Sequence, residues 1–352
     1  MLQVGRIQIL RIWYHRVMYT DERKYISSSW LICGLLLGIA GLALGTFFDL
    51  KIDQLLYQPD ASLAKYLAAF GPVPAFWGIG AAGCLLIDVL RDRSAWWLGW
   101  ILGFGMLLAG PIYMIDSLMT EIDMNWLVAW ITGLLVSVLP SVLYAVLMRN
   151  TSDHDKIQCI IILLIVCVGS MLAVQVLKRI WYRPRFFLLE NNPDIPFTRW
   201  YQPDRDVINQ FAALYAQDHD YFRSFPSGHT QSITCLFLWA LIPVYTQKGS
   251  VNFAMAFSSV VVLVVAISRV FLGVHYLSDV SVAFLITYTL FALCVWCFGL
   301  SWRGIHKKFG DEDEDDYDEY EDEFEEEPIK GPKPSRRRRR KKDYDDEDED
   351  VE

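Results

Sequence analysis

The long apolar stretches of this chain lack the polar residues that a soluble helix shows at every third or fourth position. A segment such as CIIILLIVCVGSMLAVQVL, residues 159–177, offers no wet face, which argues against the amphipathic helices of a soluble domain. Cysteine is sparse and poorly placed for crosslinking. The seven (Cys33, Cys84, Cys159, Cys167, Cys235, Cys294 and Cys297) all fall inside apolar segments, and no CxxC pair accompanies a histidine cluster. A disulfide frame or zinc site is therefore not expected, and the cysteines read as small helix-packing residues. A cleavable leader is not expected either: the first apolar block begins near residue 28 after a basic segment and more blocks follow, so it should stay as an anchor.

What the chain does contain is 53% apolar side chains gathered into blocks of about 16 to 24 residues, near the length that spans a ~30 Å hydrocarbon core. Eight are read, at roughly 28–48, 73–90, 96–118, 126–148, 157–177, 230–246, 252–272 and 276–300. The expected fold is an all-α polytopic transmembrane bundle of about eight spans. Four regions are expected: a basic cytoplasmic segment (1–27), N-terminal transmembrane helices (28–148), a catalytic transmembrane half (149–302) and a charged tail (303–352).

The net charge of −9 belongs to the tail. Residues 311–352 hold 22 acidic and 9 basic side chains, whereas the remaining 310 residues hold 23 basic and 19 acidic ones. Blocks of this kind cannot bury enough surface to fold, so the tail is expected to be disordered. Its RRRRRKK run should fold back on the flanking acidic blocks, with contact to anionic lipid as the alternative. No nucleic-acid partner is expected.

Placing the N-terminus in the cytoplasm puts Arg6, Arg11, Arg16, Arg23 and Lys24, then Arg91 and Arg93, Arg149 and Lys156, Lys248, and Arg303, Lys307 and Lys308 inside. The first two outer loops are mainly acidic, with Asp49 and Asp53 among their charges. This distribution obeys the positive-inside rule and makes the chain a multi-pass cell-membrane protein with both termini cytoplasmic. Residues 7–18 and 52–70 could each form an interfacial helix.

One cluster breaks the rule. LKRIWYRPRFF, Leu177–Phe187, places four cations on the outer side, and charges at a membrane edge are costly enough to suggest function. SFPSGHT, Ser224–Thr230, and SRVFLGVHYLSD, Ser268–Asp279, fall on the same side. Together they offer Lys178, Arg185 and Arg269 as fixed cations, and the Ser227–Gly228 turn as a helix start able to receive an anion. That inventory suits a phosphate. His229 and His275 add nucleophile and acid/base chemistry, and Asp279, four residues after His275, would share its face if a helix starts there. A metal site is disfavoured, because the cations would repel a divalent ion and no fourth ligand lies close in sequence.

These residues resemble the type 2 phosphatidic acid phosphatase superfamily, whose pattern is K-x6-R-P, then P-S-G-H, then S-R-x5-H-x3-D. Lys178 and Arg185 match the first element, with Phe186 where the family has proline; Pro226 to His229 match the second; Ser268, Arg269, His275 and Asp279 match the third. The resemblance covers roughly residues 157–300 and implies a six-helix core, so two of the spans are additional. It also implies a metal-independent, cofactor-free reaction through phosphohistidine: His275 as nucleophile, Asp279 orienting it, and His229 as acid then base. Lys178, Arg185, Ser227, Gly228 and Arg269 would hold the phosphate oxygens. A site at the outer membrane face suggests a membrane lipid phosphate or diphosphate as substrate, of polyprenyl diphosphate, phosphatidic acid or phosphatidylglycerol phosphate type. A lipid phosphotransferase or a non-catalytic transporter or scaffold are the alternatives. Arg179 and Arg183 read as helpers or lipid head-group contacts, His219 as a solvated loop residue, and Trp181, Tyr182, Trp200 and Tyr201 as interfacial aromatics.

Overall fold

The structure, a computed structural model, describes residues 24–301; the expected interfacial helix at 7–18 and the charged tail lie outside the described residues. The described chain is built from helices, joined at its two ends by one isolated bridge between Ile26 and Ser301. In order these are α1 (Ser28–Leu56), α2 (Ser62–Phe70), α3 (Val73–Leu90), α4 (Trp96–Glu121), α5 (Trp126–Met148) and α6 (Asp153–Leu164). A π-helical turn, Ile165–Gly169, joins α6 to α7 (Ser170–Trp181), followed by the short α8 (Phe186–Asn191), α9 (Asp206–Gln210) and α10 (Ala212–Gln217). The last part comprises α11 (Gly228–Thr234), a 3-10 stretch (Cys235–Ala240), α12 (Leu241–Thr246), α13 (Val251–Phe271) and α14 (Leu277–Cys297).

Helix starts follow polar caps. Asn125 accepts from Leu127 N at 3.0 Å, Ser152 from Asp155 N at 3.1 Å and Ser250 from Phe253 N at 3.2 Å, each satisfying one of the N–H groups that a helix start leaves open. Pro140 sits inside α5, where it cannot donate to the carbonyl four residues back. The Trp77 indole N–H takes that acceptor, Val136 O, at 2.7 Å.

Among the described residues, seven helical stretches are long and apolar enough to cross a membrane. The sixth expected block, 230–246, is instead a composite of α11, the 3-10 stretch and α12, with 7, 6 and 6 residues respectively. At ~1.5 Å per α residue and ~2.0 Å per 3-10 residue these reach about 31 Å, still enough to cross the apolar layer. The composite is also the most enclosed element, with Ile233, Leu236, Phe237, Leu238 and Leu241 all in the main core beside Tyr144, Leu163, Val262 and Phe291. Side chains such as Leu37, Phe47, Phe253, Val260 and Trp296 point outward, an exterior suited to hydrocarbon.

Small residues set how closely helices approach. A Cβ on Gly83 would lie 2.6 Å from Gly103 O, and one on Gly103 the same distance from Gly83 O, so α3 and α4 touch backbone to backbone. Gly83→Leu is expected to lower stability by about 1–3 kcal/mol through forced separation of the pair. Its unfolding midpoint in detergent, compared with that of Leu98→Ala on the outer face of α4, checks this.

Candidate active site

Helix α1 runs for 29 residues. At ~1.5 Å per residue it reaches about 43 Å, longer than a ~30 Å apolar layer. Its last turns carry Asp49 and Asp53 to the end of the bundle where the three motif clusters meet, and both are buried. The approach depends on Gly45, where a Cβ would lie 2.6 Å from Ser278 N. Asp49 Oδ1 accepts from Ser278 N at 2.9 Å, and Oδ2 accepts from the Ser278 hydroxyl and from Arg183 Nη2 at 2.9 Å. An acid on one helix thereby caps the free N–H groups at the start of another.

Arg183 is the residue whose role changes most. Helix α7 ends at Trp181, and Tyr182 adopts a left-handed conformation, φ 49°, that turns the chain inward. Arg183 follows and is wholly buried, so it is not a head-group contact. Its Nε donates to Thr198 O at 2.8 Å, Nη1 to Ser278 Oγ at 2.8 Å and to Asp279 Oδ1, and Nη2 to Asp49. The guanidinium carbon lies 4.0 Å from the centroid of the Tyr276 ring, within the range of a cation–π contact. The same turn sets the relation of Lys178 to Arg185: a spacing of seven would put them on one face of a continuous helix, but the helix stops between them and Arg185 returns as the residue before α8.

His275 and Asp279 also meet differently from a helical pair. Tyr276 is the cap of α14, so His275 precedes the helix and Asp279 is its third residue. Asp279 Oδ2 accepts from Tyr276 N at 2.9 Å and from the Ser224 hydroxyl, and lies 3.9 Å from His275 Nδ1. The direct partner of Nδ1 is the Ser224 carbonyl at 2.6 Å. A carbonyl only accepts, so Nδ1 carries the proton and Nε2 keeps its lone pair. Burial holds the His275 pKa well below its usual 6.5, and the positive charges of Lys178, Arg185 and Arg269 push it further in the same direction.

His229 is the second residue of α11, and its Nε2 donates to Ala68 O at 3.0 Å. The region expected as one interfacial helix, 52–70, is thus the end of α1 plus α2, and α2 presents that carbonyl. Ser227 Oγ accepts from Thr230 N at 3.3 Å and from the Thr230 hydroxyl at 3.1 Å, capping α11, while Ser227 N donates to Asp279 O at 3.2 Å.

Lys178, Arg185, Gly228, His229 and His275 line a single cavity of about 270 Å³. Arg223 and Asp220 join them, and Asp220 pairs with Arg185 at 3.4 Å and Arg223 at 3.7 Å. Ser227, Arg269 and Asp279 stand behind this lining: the serine caps, the aspartate anchors, and buried Arg269 acts on both histidines through its charge. Among the described residues no three His, Cys, Asp or Glu side chains converge as a metal ligand set.

The aromatic residues have local explanations. Phe186, which stands where the resembled pattern has proline, is buried and meets Tyr57 edge-on at 5.3 Å and Tyr276 at 6.4 Å. Trp200 Nε1 donates to Thr46 Oγ1 at 2.8 Å, and Trp181 Nε1 donates to Trp200 O, so these rings pin the segment between α8 and α9 to α1 and α7. His219 is exposed, as expected.

Residues that sequence spacing missed come from far away in the chain, Asp49 from α1 and Ala68 O from α2; Ser224 heads the second cluster, but spacing gave it no role. The membrane-edge position of Asp49 was the one available signal, since an acid at the end of an apolar span carries the same functional suspicion as a cation there.

No curated protein matches the chain. Residues 159–303 match the family model described as PAP2 superfamily. The matched range contains all eight expected site residues, whereas α1 to α5 precede it. Both histidines, the cations and the buried aspartate lie inside that range, so over residues 159–303 the chain is similar to the PAP2 superfamily.

Proposed function

We propose that the protein hydrolyses a lipid phosphate or diphosphate at the extracytoplasmic face of the cell membrane, through a phosphohistidine on His275. The observation that carries this reading is the open Nε2 of His275 in the same cavity as His229, Lys178 and Arg185. The family match over residues 159–303 and the apolar helices support the reading of a membrane protein of phosphatase type.

In the first step His275 Nε2 attacks phosphorus, forming the P–N bond as the P–O bond to the leaving group breaks. His229, protonated at Nδ1, gives its proton to the departing oxygen. In the second step His229 removes a proton from water, whose oxygen attacks phosphorus, and the P–N bond breaks to release inorganic phosphate and restore neutral His275. Between the steps His275 carries positive charge, which Asp279 at 3.9 Å stabilises. Lys178 and Arg185 hold the equatorial oxygens, and the charge of Arg269 lies behind them. Positioning and electrostatics of this kind supply most of the rate in phosphoryl transfer. No step requires a metal ion.

The excess of Lys and Arg in the opposite loops supports an outward-facing site. Purified protein incubated with a panel of lipid phosphates is expected to release inorganic phosphate, at a rate unchanged by a chelator. Complete dependence on added magnesium would overturn the metal-free scheme. Transfer of phosphate to a second lipid without its release would replace hydrolysis by transfer at the same site.

A further inference from the structure

The charged groups of the cavity share it with the apolar side chains of Pro72, Phe76 and Met171 and the ring of Tyr113. Lys178, Gln175 and Met171 line it from α7, at spacings of three and four residues that set them in one row along the helix. From Lys178 to Met171 the row runs about 10 Å toward the interior of the bilayer. The wall from α3 and α4 is Pro72, Phe76 and Tyr113. The Phe76 and Tyr113 rings are stacked, with centroids 4.9 Å apart. Polar groups on this stretch are engaged within the protein: Ser232 donates to Pro72 O and accepts from Ala75 N, and Gln231 Nε2 donates to Ser170 Oγ.

We propose that Phe76, Tyr113 and Met171 form a hydrocarbon subsite. It takes the first carbons of a single-chain substrate in which the apolar chain begins at the phosphate ester oxygen, as in an isoprenoid phosphate. The inference rests on the phosphatase reading and narrows its substrate class. Two features carry it. The cavity encloses about 270 Å³, near the lower end of pockets that hold a drug-sized ligand, ~300 Å³. It therefore accommodates a phosphate and the first few carbons attached to it. The wall that α3 and α4 turn to the cavity is aromatic, whereas a glycerolipid would bring two ester carbonyls to it. Such carbonyls lose their water there and meet Gln175 as the one outward-facing amide on the row. Flat allylic carbons lose nothing and stack on the rings. Phe76 and Tyr113 precede the family-matched range, so this specificity belongs to the helices that the chain adds in front of its catalytic half.

The test compares kcat/KM for farnesyl phosphate and dioleoyl phosphatidic acid in the same detergent, using the full-length protein and its Phe76→Ala and Tyr113→Ala variants. The wild type is expected to favour farnesyl phosphate. Each variant should reduce the ratio of the two kcat/KM values by about tenfold, as loss of apolar pocket contacts does, through KM rather than kcat. Phe76→Leu, which keeps volume and fold, should reduce the ratio less than Phe76→Ala. A wild-type preference for phosphatidic acid, or variants that lower both substrates equally, would overturn the subsite while leaving the phosphatase reading intact. Folded wild-type protein that turns over neither lipid nor any other phosphate overturns both.

Discussion

Arg183→Ala is expected to destabilise the folded protein by roughly 3–5 kcal/mol, the usual cost of removing one partner from a buried ion pair. The change leaves Asp49 and Asp279 buried without their shared cation and also removes the donors to Thr198 O and Ser278 Oγ. Arg183→Lys should recover little of the loss, because a point ammonium with three donors cannot replace a planar fork that serves four acceptors while lying flat on the Tyr276 ring. Equilibrium unfolding in mild detergent measures this. A double-mutant cycle with Asp49→Asn should show coupling of about 0.5–3 kcal/mol, the range for residues in one ionic network. Strict additivity would mean that the α1 contact carries no energy. Since Asp279 anchors the loop that holds His275, activity should fall along with stability, and the cycle separates the two.

His275→Ala is the second large effect: turnover should fall by about 10⁴-fold or more, as when a nucleophile is removed from a set of groups that act as a unit. Fold should survive, because the lost contact is one hydrogen bond to Ser224 O, of a kind that contributes about 1 kcal/mol. Rapid quenching of wild-type protein with labelled substrate should trap acid-labile phosphate on His275, and His229→Ala should lengthen its lifetime by removing the base that activates water. Label on any other residue would displace His275 from its role.

The environment of His275 adds a pH signature. Its folded pKa lies below the usual 6.5 through burial and the neighbouring cations, so the neutral nucleophile persists into acid. The acid limb of kcat/KM, which reports the free enzyme, should therefore lie below pH 6.5. For stability the sign is the same. As pH falls through 6.5 the unfolded histidine binds a proton that the folded one refuses, so the fold loses stability between that pH and the depressed value.

Most of the helical framework can be read from the chain, because an unbroken apolar run has few alternatives to a helix in lipid. Where the structure departs from that reading, local geometry explains it. Hydropathy makes residues 230–246 a plain span; they are partly 3-10, a winding that leaves no mark on hydropathy. Spacing would set Lys178 and Arg185 on one face if the helix continued; a left-handed Tyr182 ends it between them. Spacing would pair His275 with Asp279 if a helix began at His275; it starts only after Tyr276, and a backbone carbonyl holds the ring instead. In each case the residue type and spacing point to the right neighbourhood, and the connecting backbone does not follow the ideal period.

The division has a physical basis. Apolar length, loop charge and the three spaced clusters are properties of neighbouring residues, so the chain alone specified a membrane bundle and named the histidines and cations of its cavity. The Asp49–Ser278, Asp49–Arg183 and Ala68–His229 contacts join residues 229, 134 and 161 positions apart. No local pattern encodes such pairings. They exist because α1 can lie against the start of α14 at Gly45 and because α2 turns its last carbonyls toward α11. Packing, rather than spacing, made Arg183 a buried keystone and brought the helices ahead of the family-matched range into the wall of the site.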